Sequence, residues 1–272
     1  MQTAPHNQND SPGAPVVATR GGRVAIRSAG AATCRAFTLL ELLVVMGIIG
    51  LLAAVALPSL KGLGQANITA GANRQMIEDL SMARLRAIAG RTTVYMVFVP
   101  TNIWTRIAAA SDPIELRQLT NLVNGQYTSY ALLAKRTVGD QPGRDRSRYL
   151  TEWRTLPEGM LIAPPKFVPA NTNLADPYQR GFVYQAVPFP NSTNALVNLP
   201  CIVFNPQGQL VSGVDEIISL ARGSVFYARD QNNHYISQPP DVSISPPNNF
   251  TNSHIRVNWL TGRAVVERVA LP

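Results

Sequence analysis

The chain has 272 residues, of which 46% are hydrophobic and 15% are charged, and its formal net charge is +8. This length is enough for one sizeable domain and an anchor. Cysteine occurs only at Cys34 and Cys201, which excludes a disulfide-rich scaffold, so core packing must hold the fold together.

Residues 1–36 form a polar, basic leader. They are rich in Pro, Gly, Ala, Asn and Gln and lack apolar periodicity, so we predict a disordered segment. Four arginines stand against one aspartate, giving a net charge of +3, and the positive-inside rule places such a segment in the cytoplasm. We therefore expect the residues after Pro58 to lie on the other side of the inner membrane.

Residues 37–57 form the most apolar stretch of the chain. These 21 residues carry one charge, on Glu41, and a continuous helix of this length would be about 31 Å long, enough to cross a membrane. A lone carboxylate costs roughly 2.5 to 3.5 kcal/mol at the bilayer centre and usually has a partner. If the chain were cut between Ala36 and Phe37, the Glu41 carboxylate of a neighbouring subunit could neutralise the new amino group.

This stretch resembles a known processing signal. Phe37-Thr38-Leu39-Leu40-Glu41, followed by the apolar run and Pro58, is similar to the prepilin cleavage and methylation signature of type IV pilins and type II secretion pseudopilins. The resemblance implies that a prepilin peptidase cuts between Ala36 and Phe37 and that Phe37 is then N-methylated. It also implies that Glu41 guides assembly with other pilin or pseudopilin subunits in the inner membrane. Where the family usually has Gly before the cut, this chain has Ala36, which predicts slower cleavage.

Two other interpretations of this stretch stay open. Ala54-Val55-Ala56 has the form of a signal-peptidase site, so the segment could be an ordinary secretory signal. It could also be a plain signal anchor that holds an exported periplasmic domain. Glu41 inside the apolar segment and the long leader argue against the secretory signal.

Residues 58–90 are predicted to continue the helix as an amphipathic half. A proline within a helical pattern can kink the helix rather than end it, so we place a kink at Pro58. The alternative is a separate helix joined by a flexible, glycine-containing linker. Apolar residues recur at helical spacing at Met76, Ile77, Leu80, Ala83 and Ala87.

Residues 91–272 are predicted to form a β-rich periplasmic domain, with a variable insertion around 104–198. A short helix is expected at 113–123, and long loops at 135–148, 164–179 and 231–252. Cys201 is expected to be a buried small hydrophobic residue. β-Branched and aromatic content predicts strands at 92–99, 104–109, 127–135, 159–162, 181–187, 201–205, 209–212, 216–221, 224–229, 254–260 and 263–269.

Three further motifs resemble one branch of the family. They are the segments 80–88, 203–209 and 260–264, which are similar to motifs of H-type minor pseudopilins and fimbrial T-type minor pilins. In the last two segments, Gly208 and Gly262 fit tight turns that need a positive φ. The resemblance implies an α+β, pilin-like fold in which a long N-terminal helix packs on an antiparallel β-sheet.

Enzymatic and metal-binding motifs are missing from the sequence. The histidines His6, His234 and His254 have no metal-ligand spacing, and we predict no catalytic residue, no metal and no cofactor. The pair Asp215-Glu216 is interpreted as a solvated turn. The sequence therefore favours a structural protein over an enzyme.

A DNA-binding surface is the competing hypothesis. Arg256, Arg263 and Arg268 lie on predicted paired strands, where a basic stripe could contact DNA phosphates. Scattered arginines on a solvated strand face explain the same pattern. The favoured interpretation is a minor subunit of a type IV pilus or type II secretion pseudopilus, and a DNA-binding minor pilin is the alternative.

Overall fold

The computed structural model describes residues 38–136, 140, 146–172, 175–232, 234–236, 238–246 and 253–268, without the side chains of 55–66, 253 and 268. The predicted cleavage positions Ala36 and Phe37 lie outside the described residues. The chain divides into two compact units, the first ending at Ala53 and the second beginning at Ala54.

The longest element is helix α1, Leu39–Gly90, with 52 residues. Its bounds include Pro58; the predicted kink at this residue and the alternative of a separate second helix stay predictions. Within the second unit one face of α1 is fully buried, and it is formed by Ala72, Met76, Leu80, Ala83 and Ala87. Their spacing of three or four residues places them on one side of the helix, as the amphipathic pattern predicts. Among the described residues, no helix has the length and apolar character needed to span a membrane.

The strands form two antiparallel sheets rather than the one sheet that was predicted. The first has the order β3-β2-β1-β7-β6, with β4 also paired to β2. Its strands are β1 Val94–Phe98, β2 Ser129–Ala134, β3 Arg148–Tyr149, β4 Arg154–Thr155, β6 Val183–Pro188 and β7 Leu196–Phe204. The second has the order β11-β10-β8-β5, with β9 also paired to β8. Its strands are β5 Met160–Ile162, β8 Glu216–Phe226, β9 Asp241–Ile244, β10 Ser253–Val257 and β11 Ala264–Arg268.

The first sheet is covered on both faces. Met96 and Phe98 of β1 point into the cluster that contains the buried face of α1 and residues of the second sheet, such as Ile218 and Ile255. Val97, between them, points into a second cluster on the opposite face, because successive side chains of a strand alternate. Burial on both faces explains why β1 and β2 are almost continuously apolar in sequence.

Two short helices cover the second face of this sheet. Helix α3, Pro113–Leu122, confirms the predicted helix, with proline in its first turn and an N-cap at Asp112, whose side chain accepts from Ile114 N–H at 2.9 Å. The predicted strand 104–109 is wrong, because this segment belongs to helix α2, Ile103–Ala109. Ile103 and Ile107 lie one helical turn apart and both pack in the second cluster, so burial overrides the β propensity of isoleucine, tryptophan and threonine.

Other differences concern strand boundaries and loops. The predicted strand 209–212 is a turn that retains one bridge between Phe204 and Leu210, and the predicted strands 216–221 and 224–229 are largely one strand, β8. The predicted loop 164–179 contains 3₁₀ turns at Pro164–Phe167 and Pro169–Asn171, and the predicted loop 231–252 contains β9. The fold class is confirmed as α+β with an N-terminal helix and antiparallel strands, consistent with a pilin-like fold.

Candidate functional site

The first turn of α1 is capped by a threonine. Thr38 Oγ1 accepts a hydrogen bond from Glu41 N–H at 3.1 Å, and Thr38 O accepts from Leu42 N–H at 3.1 Å, so Thr38 is the N-cap residue. Glu41 therefore lies in the first turn, where a negative charge is favoured by the helix dipole. Sequence reasoning missed this cap, although Thr and Glu three residues apart are a known helix-start pattern.

The described part of α1 in the first unit is an exposed apolar surface. Every residue from Leu39 to Ala53 is exposed, and Glu41 is the only charged residue among them. An all-round apolar helix needs an apolar environment, which lipid or other helices could supply. Glu41 is thus a carboxylate at the start of an apolar surface whose exposure to water is unfavourable.

Within the second unit, α1 also carries an open groove beside its buried face. The groove is mainly apolar, and Leu85, at its centre, is 59% exposed. Its lining residues are Ile77, Glu78, Ser81, Met82, Leu85, Arg86 and Ala89. The arrangement of apolar residues along one helix face is suited to packing against another helix.

Three motifs that are far apart in sequence meet near the end of α1. Arg84 Nε–H donates to the backbone oxygen of Thr261 at 2.7 Å. Gly262 has φ +63°, and a Cβ added there would lie 1.9 Å from Gly208 O. Gly208 has φ +79°, and a Cβ there would lie 2.6 Å from Ile88 Cδ1. The positive φ predicted at both glycines is confirmed, and the two turns pack against each other and against the helix.

A buried carboxylate ties α1 to the first sheet. Asp79 lies on the buried helix face, accepts from the Tyr130 hydroxyl at 2.6 Å and forms an ion pair with Arg154 of β4. Burial, followed by the hydrogen bond to Asp79, raises the pKa of Tyr130. Sequence reasoning missed this residue, although a carboxylate within an apolar helical stripe was a detectable signal.

A second buried ion pair joins the insertion to the second sheet. Glu216 is 4% exposed and pairs with Lys166, which lies in the 3₁₀ turn Pro164–Phe167. The interpretation of Asp215-Glu216 as a solvated turn is therefore wrong for Glu216, because β8 begins at this residue and carries its side chain into the core. Asp215 instead accepts from Trp259 N–H at 2.9 Å and so holds the β10–β11 turn.

Among the candidate DNA-binding arginines, Arg256 lies beside two carboxylates. Arg256 in β10 has carboxylate oxygens of Asp215 and Glu267 at 3.5 and 3.4 Å. Arg263 is exposed just before β11, and Arg268 ends β11 with its side chain outside the described residues. The two carboxylates offset much of the positive charge that Arg256 would offer to a phosphate.

The two histidines that the structure describes lie in different environments. His254 lies in β10, within the predicted strand 254–260, is 5% exposed, and its Nδ1 is 2.7 Å from Ser219 Oγ. His234 is exposed, and His6 lies outside the described residues. No group of potential metal ligands occurs in the part of the chain that the structure describes.

Comparison with protein families identifies the amino-terminal segment. Residues 32–57 match a family model described as the prokaryotic N-terminal methylation motif, which is the prepilin-type signature. The match covers the predicted cleavage pair and Glu41 and ends just before Pro58. Comparisons with curated proteins and with solved structures found no match.

Proposed function

We propose that this chain is a structural subunit of a type IV pilus or a type II secretion pseudopilus. A prepilin peptidase removes residues 1–36 by cutting between Ala36 and Phe37, and Phe37 is then N-methylated. The subunit is held in the inner membrane through residues 37–57, with its β-rich domain in the periplasm, until it joins other pilin-like subunits.

The observation that carries this proposal is the prepilin-type signature at the start of one long helix. The signature at residues 32–57 leads into α1, which continues to Gly90 and has one buried face in the domain. Glu41, a charge inside the apolar segment, supports the prepilin interpretation over a secretory signal, whose core is an apolar run.

The assembly step depends on charge and helix packing. Glu41 lies in the first turn of α1 within an exposed apolar surface, where its carboxylate is costly unless a cation compensates it. The amino group of Phe37 on a neighbouring subunit is such a cation. The apolar groove around Leu85 then gives the second half of α1 a surface for a neighbouring helix.

We further propose a minor role, at the tip or at the start of the filament. The basis is the resemblance of three motifs to H-type and T-type minor subunits, together with the region 104–198, which adds α2, α3 and several short strands to the domain. Measurement of subunit stoichiometry tests this role, and a copy number equal to that of the most abundant filament protein would contradict it.

The test of assembly compares two variants with matched controls. Glu41→Ala should leave membrane insertion intact and abolish incorporation into filaments, whereas Glu152→Ala, at an exposed glutamate outside α1, should assemble normally. Leu85→Asp in the groove should reduce incorporation. Leu196→Asp is the matched control: Leu196 is also an exposed leucine, at 68%, but it lies outside the groove, so this variant should assemble normally. Normal filament levels of Glu41→Ala would contradict the charge mechanism.

Before the assembly test, the amino-terminal residue of the protein recovered from membranes should be determined. Mass spectrometry should find N-methylated Phe37. A start at Leu57 would indicate signal-peptidase cleavage and would remove the filament proposal.

A further inference from the structure

The buried pair of Lys166 and Glu216 has no part in the proposed assembly. Lys166 Nζ is in direct contact with Glu216 Oε1, and the two side chains are only 2% and 5% exposed. Full burial of an ion pair brings a large desolvation cost, and such a pair is weak as a stabilising device. This cost prompts the question of what other chemistry the contact permits.

Both side chains are fixed by their backbones. Lys166 N–H donates to Ala163 O at 3.1 Å, and Lys166 O accepts from Phe182 N–H at 2.8 Å. Glu216 begins β8 and pairs with Val257 of β10. The lysine amine and the glutamate carboxyl, 50 residues apart, are therefore held together, and such fixed proximity makes reaction between two groups effectively unimolecular.

The surroundings favour the uncharged forms of both groups. Burial lowers the pKa of Lys166 and raises the pKa of Glu216, since a low-dielectric environment disfavours charge. The Phe182 ring centroid lies 4.9 Å from Lys166 Nζ and forms one apolar wall. Proton transfer within the pair gives a neutral amine, which is a nucleophile, and a carboxylic acid, which can lose its hydroxyl group as water.

A third residue supplies positive charge and a hydrogen-bond acceptor. The charge of the Arg180 side chain contributes to lowering the pKa of both Lys166 and Glu216. The backbone oxygen of Arg180 accepts from Lys166 Nζ at 2.7 Å. An amide nitrogen formed at Nζ would keep this acceptor.

The neighbouring thiol does not compete for the carboxyl group. Burial raises the pKa of Cys201 to about 12, and the charge of Glu216 adds to this effect. A thiol with this pKa stays protonated at neutral pH and is a poor nucleophile. The amine of Lys166 is therefore the reactive group beside Glu216.

We propose that Lys166 and Glu216 become joined by an intramolecular isopeptide bond. The nitrogen lone pair of Lys166 attacks Cδ of Glu216 to form the C–N bond, and the carboxyl C–OH bond breaks. The departing hydroxyl takes one proton from the nitrogen and leaves as water, so nothing is oxidised or reduced. The product removes two buried charges and links the insertion covalently to the second sheet.

The test is the intact mass of the full chain purified from membranes and denatured. We expect a mass one water molecule lower than that calculated for the chain that begins at its measured amino-terminal residue, and a tryptic peptide in which Lys166 is joined to Glu216 and is not cleaved. Lys166→Arg should show the full mass calculated for its own chain, with no loss of water. Glu216→Gln should lose one ammonia instead of one water, because the amide nitrogen of glutamine becomes the leaving group.

The wild-type chain alone decides the outcome. A mass equal to that calculated for the chain from its measured amino terminus, without loss of water, would overturn the proposal and leave the contact as an ion pair. A lost water that maps to other residues would overturn it as well. Because the wild-type chain carries the decisive measurement, a variant that fails to fold does not weaken the test. The result is independent of assembly into filaments.

Discussion

The closest approach between the two glycine turns allows a sharp test of the fold. Gly262→Ala would place a methyl group 1.9 Å from Gly208 O, at a residue with φ +63°. The neighbouring atom belongs to the backbone, so it cannot move aside as the end of a flexible side chain could. Gly213 provides a matched control, because it has φ +69° and a Cβ there would meet nothing within 4 Å.

The two variants separate a conformational cost from a steric cost. A left-handed conformation costs a residue with a Cβ roughly 1 to 2 kcal/mol, and this is the whole cost that we expect for Gly213→Ala. Overpacking adds about 1 to 3 kcal/mol, so Gly262→Ala should lower the free energy of unfolding by about 2 to 5 kcal/mol in total. Such a loss is a large part of the stability of a typical domain, which is about 5 to 15 kcal/mol.

Urea unfolding of the purified chain, followed by circular dichroism, measures both changes. The slope of free energy against urea should stay constant, because the area exposed on unfolding does not change. Tryptophan fluorescence gives a second reading, and one of the three tryptophans, Trp259, lies in the same turn as Gly262. If Gly262→Ala were no less stable than Gly213→Ala, the packing of the two turns would be refuted.

Three further predictions concern buried groups. Asp79→Ala should reduce stability by about 1 to 3 kcal/mol, because it leaves a buried tyrosine hydroxyl donor unpaired. Glu78→Ala, which removes only the exposed ion pair with Arg74, should change stability far less in the same urea assay. Cys201 is buried and should react with a thiol reagent only after unfolding; fast labelling that maps to Cys201 in the native chain would contradict its burial. Burial raises the pKa of Tyr184 to about 12. The contribution of the protonated Tyr184 to stability should therefore be complete below a pH of about 10 and lost as the pH rises to 12. A free energy of unfolding that stays constant over this range would contradict that burial.

Local patterns predicted the elements whose structure depends on nearby residues. The buried positions of α1 follow from helical spacing, and Asp112 and Pro113 mark the start of α3 in the sequence. Gly208 and Gly262 could be predicted because a tight turn imposes its φ locally. Glu41 could be singled out because one charge stands in an apolar run, but the Thr38 cap beside it was missed.

The remaining features depend on partners that sequence order does not reveal. The segment 104–109 has strand-like residues, and it is a helix because the second face of the first sheet has to be covered. Glu216 is adjacent to Asp215 in sequence, yet its partner Lys166 is 50 positions away. Which member of an acidic pair is buried is decided by where β8 begins, and no local pattern marks that residue.

The bond between Arg84 and Thr261 spans 177 positions, and this separation affects the order in which the domain can fold. The core against which α1 packs includes Ile255 and Val257 of β10. Because these residues are synthesised late, the helix face stays partly uncovered until they have been made and have folded onto it. Contacts of such long range slow folding more than they reduce final stability. A subunit whose β10–β11 hairpin has not yet folded would therefore expose an apolar face of α1. This exposed face would distinguish incompletely folded subunits from fully folded ones.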